Sequence, residues 1–176
     1  MKFLHLAFVF VLVISACNKM ESSEPVTPAQ AITSAAENLN RAVLNNDYDT
    51  FAKYTHPKIV EALGGEAKFK ELTEQGAKRM QSDSAKFISI SNGTPGKIIT
   101  VNGELQTTIP QTVEVKIPTG KVKSKTTLIA VSKDDGKNWL FVNTANTDLK
   151  RLQKILPTLS NDLVIPQQQQ PEFIQE

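Results

Sequence analysis

An α+β fold is what this sequence predicts, with N-terminal helices packed on an antiparallel sheet, and three observations predict it. Between Thr27 and Met80 apolar residues recur every three to four positions, the helical period. From Phe87 to Val142 they fall instead into short runs bounded by Gly, Pro and Asn, with a period of two at Val113, Val115 and Ile117. Helices first and hairpin-linked strands after place the helices together on one sheet face.

The first helix opens at Thr27-Pro28-Ala29-Gln30, a capping box with proline at the first helical position. Ile32, Ala35, Ala36, Leu39, Ala42 and Val43 form its apolar stripe, and Asn45-Asn46 ends it. Asp47 caps a second helix carrying Tyr48, Phe51, Ala52 and Tyr54. His56-Pro57 interrupts, because proline disfavours helical geometry at the residue before it. Pro57 starts a short helix with Ile59, Val60 and Leu63, stopped by Gly64-Gly65. Residues 67–80 form a further helix through Phe69, Leu72 and Met80, with Gly76 weakening it.

Strands are expected at 87–90, 98–101, 105–109, 113–117, 126–131 and 139–142. Asn92-Gly93-Thr94-Pro95-Gly96 and Asn102-Gly103 are turns between the first three, the second a hairpin signal. Pro110 and Pro118 belong at strand ends or edges, since neither can donate to a ladder. Lys133-Asp134-Asp135-Gly136-Lys137 turns a later hairpin. A last helix runs from Thr147 as cap through Leu149, Leu152, Ile155 and Leu156 until Pro157.

The ends of the chain differ in character. Lys2, the apolar run from Phe3 to Ile14 and Ile14-Ser15-Ala16-Cys17 have the layout of an export signal. The run is shorter than the ~20 residues a spanning helix needs. It resembles a bacterial lipoprotein signal peptide whose lipobox ends at Cys17. By that resemblance, residues 1–16 are the signal, and Cys17 becomes an acylated N-terminus bound to the lipid bilayer. Residues 17–26 are then a tether. Asn18 stands where Asp would mark inner-membrane retention, which favours the outer membrane of a Gram-negative envelope, facing periplasm or surface. Residues 27–165 read as one domain, and Pro166–Glu176, rich in Gln and Pro, as a disordered tail. The net charge of +2 gives no case for a nucleic-acid partner. Cys17 is the one cysteine, so the fold relies on packing and not on disulfides.

The opening amphipathic helix, Asn46-Asp47-Tyr48-Asp49-Thr50-Phe51, Tyr54-Thr55-His56-Pro57 and the closing hairpin from Ser132 to Val142 resemble the nuclear transport factor 2-like superfamily, also called cystatin-like α+β. The likeness spans about Thr27 to Asn143 and is one of shape and order. It implies a curved sheet around a long helix, a cone-shaped pocket and a homodimer through the sheet. The last helix lies outside it.

Candidate chemistry is sparse. His56 is the one histidine after the leader, with Tyr54 and Asp49 near in sequence, so it can be drawn as a general base or as a helix-break cap. One histidine cannot complete a zinc ligand set. Enzymes of the resembled superfamily, the ketosteroid isomerase type among them, use a Tyr and buried carboxyls, which Glu104 and Glu114 do not obviously supply. Lys121, Lys123 and Lys125 alternate as a solvated edge. Asp134-Asp135-Gly136 reads as a turn and not as a calcium loop. No phosphate loop, nucleophile elbow or dinucleotide fingerprint is present, and no cofactor is implied. Phe51, Tyr54, His56, Trp139 and Phe141 are the candidate pocket residues. The expectation is a non-catalytic envelope domain binding a small apolar ligand or a protein partner, with a pocket enzyme of isomerase or dehydratase type as the alternative.

Overall fold

The computed structural model describes residues 26–175. The expected signal, Cys17 and the tether short of Val26 lie outside the described residues, as does Glu176. Helices α1 (Pro28–Leu44), α2 (Tyr48–Tyr54), α3 (Pro57–Ala62) and α4 (Glu66–Ser82) come first. Strands β1 (Lys86–Asn92), β2 (Ile99–Val101), β3 (Glu104–Ile117), β4 (Gly120–Ser132) and β5 (Leu140–Asn143) follow. Helix α5 (Leu149–Ile155) and strand β6 (Glu172–Gln175) close the described chain. The class is α+β, with six antiparallel strands in one sheet. Among the described residues no helix is long and apolar enough to cross a membrane.

Local chemistry explains the helix ends. Gln30 N donates to Thr27 Oγ1 while Gln30 Oε1 accepts from Thr27 N, closing the capping box. Asp47 Oδ1 accepts from Thr50 N at the start of α2. The start of α5 is a correction: Asp148, not Thr147, is its cap, accepting from Arg151 N.

The sheet runs β1-β3-β4-β5, with β2 beside β3 and β6 beside β4. β3 is one long strand and not two. Pro110 therefore sits within a strand, and of the expected end or edge it takes a local edge. Its carbonyl accepts from Gly93 N at 2.7 Å, so its backbone edge faces the loop between β1 and β2, where no ladder donor is needed.

Two apolar clusters lie on opposite faces of this sheet. Ile32, Ala36 and Leu39 of α1 pack with Ile109, Leu128, Ala130, Trp139 and Phe141. Ile129, Val131 and Val142 pack with Leu152, Leu156, Leu159 and Leu163. The helices are thus not all on one face: α5 and the segment after it cover the back. The unbroken Leu128-Ile129-Ala130-Val131 run already carried that signal, since a strand buried on both faces loses its polar alternation. Gln106 ties the back layer down, donating to Thr158 O and accepting from Ser160 N, both at 2.9 Å.

The tail is a further correction. Instead of being disordered throughout, residues 172–175 pair with Gly120–Lys123 of β4, whose edge extends beyond the reach of β5. Gly120, at φ +143°, makes this contact: a Cβ there would sit on the Ile174 carbonyl oxygen. The Gly120→Ala variant is expected to release β6, raising amide exchange at residues 172–175 to the unprotected rate while the core unfolds as before. Retained protection would mean that β6 does not depend on that close approach.

Candidate functional site

A cavity of about 760 Å³ lies between the helices and the sheet, within the usual size of small-molecule sites. Its roof is α4. Phe69, Thr73, Gly76, Ala77 and Met80 repeat at helical spacing on one face of α4, and all line the space. Phe69 is the one buried residue of α4, and its ring tilts against Phe51 of α2 at 5.2 Å. Lys70 adds ion pairs to Asp49 of α2 and to Glu66. Helix α4 is therefore pinned at its first turns and leaves the cavity beneath the rest.

The floor is sheet: Phe87 and Ile90 of β1, Gln111 and Val113 of β3, Leu128 of β4, Phe141 of β5. Leu39, Asn40 and Val43 of α1 form one side wall; Ile59 and Ala62 of α3 with Leu152 and Ile155 of α5 form the other. Tyr48 is the one titratable side chain in this lining; no Asp, Glu, His, Lys, Arg or Cys among the described residues lines it. Buried polarity is concentrated at Asn40 and Gln111, each 5 % exposed. Gln111 Nε2 donates to Asn40 Oδ1 at 2.9 Å and to Asn92 Oδ1 at 3.3 Å.

The five expected pocket residues separate. Phe51 and Phe141 line the cavity. Tyr54, His56 and Trp139 do not. Tyr54 lies against the α1 cluster and its hydroxyl accepts from Asn38 Nδ2 at 3.0 Å. Trp139 is 2 % exposed in that cluster, with Nε1 donating to Gly136 O at 2.9 Å. His56 is the N-cap of α3, its Nδ1 accepting from Lys58 N at 3.2 Å. Asp49, its sequence neighbour, is engaged by Lys70. Missed by sequence reasoning were Asn40, Gln111 and Gly76. An uncharged amide on the apolar stripe of α1 and a glycine inside α4 were the available signals.

Three ionisable groups outside the lining, Glu104, Asp134 and His56, serve the structure. Burial alone would raise the Glu104 carboxyl, but Lys133 at 3.1 Å and bonds from Thr158 and Gln106 hold it below the ordinary value. Asp134 is lowered to about 2 because it accepts from Asn138 N, Asn138 Nδ2 and Ser132 Oγ, closing the hairpin turn. Burial, then the charge of Lys133, pushes His56 below 6.5, against a smaller opposing pull from Glu104. His56 is therefore neutral when folded and takes up a proton more readily when unfolded. Its contribution is complete above about pH 6.5 and is lost as pH falls toward its folded value. The His56→Asn variant, whose Oδ1 can replace the cap acceptor, is expected to flatten the decline in unfolding free energy below pH 6.5. An unchanged slope would assign that decline to other groups.

No family model matches the chain, and no curated protein matches it. Among solved structures it is similar to an M. tuberculosis LEH-like epoxide hydrolase, at 16% sequence identity and a TM-score of 0.36. The alignment covers 74% of this chain and 99% of that one. A likeness that weak carries no inference about activity.

Proposed function

We propose that this domain binds a small apolar molecule in the cavity under α4, without catalysis, and that acyl chains on Cys17 hold it at an envelope membrane. One observation carries the binding reading: a roomy cavity with apolar walls whose lining, among the described residues, holds no carboxylate, imidazole, ammonium or thiol, and one titratable group, the Tyr48 phenol, whose hydroxyl donates to Asn46 Oδ1 at 3.4 Å. Acid–base or nucleophilic chemistry needs such a group within hydrogen-bond reach of the substrate. His56, the sequence candidate, is spent as a helix cap. The helix-then-sheet order is also that of the nuclear transport factor 2-like superfamily, whose members leave a pocket in this place.

Native mass spectrometry on the protein purified gently from its host tests the binding. A folded chain carrying extra small-molecule mass supports it, and a bare chain under the same conditions sinks it. The anchor is tested separately: Cys17→Ser is expected to abolish palmitate labelling and move the protein out of the membrane fraction.

A further inference from the structure

Three buried polar side chains line the cavity: Asn40, Gln111 and Thr55. The Thr55 hydroxyl donates to Phe51 O at 2.9 Å. Gln111 directs both N–H bonds to its neighbours, at Asn40 Oδ1 and Asn92 Oδ1. What remains on that side chain is Oε1, an acceptor. Asn40 Nδ2 reaches Ile90 O only at 3.4 Å, longer than the usual range, and carries a second N–H. Beside them Asn92 Nδ2 is buried with no partner, so hydrogen bonding in this cluster is not closed among the described residues.

We infer that the ligand is an uncharged amphipathic molecule, an aliphatic body ending in a hydroxyl, with the hydroxyl at Asn40 and Gln111. This rests on the reading that the cavity binds a ligand, and it adds the class. A hydroxyl both donates and accepts, which matches an amide oxygen beside an amide N–H. An ether or ketone only accepts and leaves Gln111 Oε1 facing apolar surface. A carboxylate or ammonium buried there finds no counter-charge in the lining among the described residues, a large penalty.

The test uses the full chain in phosphatidylcholine nanodiscs, with empty nanodiscs as the blank for partitioning. Affinities come from the shift in unfolding temperature read by Trp139 fluorescence. The probes are 1-decanol, decyl methyl ether, decane, decanoate and decylammonium. In the wild-type protein 1-decanol is expected to bind about tenfold more tightly than the ether and decane, one net hydrogen-bonded group. It is also expected to outbind both ions. Gln111→Leu is expected to remove the advantage of the alcohol over decane. Equal binding of 1-decanol and decane, tighter binding of either ion, or an alcohol preference that survives Gln111→Leu overturns the inference and leaves cavity binding standing. Binding by none of the five overturns the cavity reading itself. The wild-type ranking decides the matter even if Gln111→Leu does not fold.

Discussion

The Gly76→Phe variant is expected to lose ligand binding by about tenfold or more while the domain stays folded. Gly76 sits inside α4 on the face that lines the cavity, and its φ is not among the positive values. A Cβ built there meets nothing within 4 Å, so a larger side chain projects into free space. Two terms favour the substituted helix. Glycine in a helix interior costs up to about 1 kcal/mol relative to alanine. Apolar side-chain area that fills the void adds about 25 cal/mol per Å² buried. Loss of binding without loss of thermal stability is therefore the signature of an occupied cavity. Gly76→Ala is the control: it gains the helix term, barely narrows the space, and is expected to bind as the wild type does. Calorimetric titration with the ligand recovered from the host, alongside thermal melts, measures both quantities. Undiminished binding in Gly76→Phe would place the ligand elsewhere.

The Trp139→Ala variant is expected to lose about 3–5 kcal/mol of stability, the usual cost of deleting a buried indole. Trp139 is 2 % exposed among residues of α1 and the sheet, and its Nε1 donates to Gly136 O in the turn before β5. Truncation leaves a void between the two layers and strips the turn carbonyl of its partner. Against a typical total of about 5–15 kcal/mol, the variant is close to unfolding. Trp139→Phe keeps most of the volume and is expected to lose a smaller part. Denaturant melts followed by circular dichroism measure the loss, since fluorescence goes with the indole. A loss below about 1 kcal/mol in Trp139→Ala would return Trp139 to the list of pocket residues.

These two residues show where sequence reading works and where it stops. Trp139 is legible as buried, because a lone tryptophan beside a hairpin turn in an apolar run has few other uses. Which void it borders depends on which element packs over it, and α1 covers it fully. Gly76 reads locally as a weak point in a helix. Its role arises because α4 is pinned to α2 through Phe69 and Lys70 and leaves its later turns standing off the sheet. His56 next to Tyr54 and Asp49 looks like a catalytic group in one dimension. In three, helix capping occupies His56, Asn38 donates to the Tyr54 hydroxyl and Lys70 of α4 engages Asp49.

By itself the sequence determined the helices, most of the strands and their order. One capping box, side-chain caps, proline positions, paired glycines and the periods of 3.6 and 2 act over a few residues, so α1 to α4, the Asn102-Gly103 hairpin and the class α+β were all readable. Only the tertiary structure decided the joining of β3 across Pro110, the placing of α5 on the back face, and the docking of β6 on Gly120. It also decided which polar groups turn toward the cavity. Each of these depends on contacts between residues distant in sequence: a free strand edge, a missing Cβ, a carbonyl with a loop opposite. Local preference carries no information about such partners, because the energy that selects them is burial and hydrogen-bond satisfaction across the whole domain.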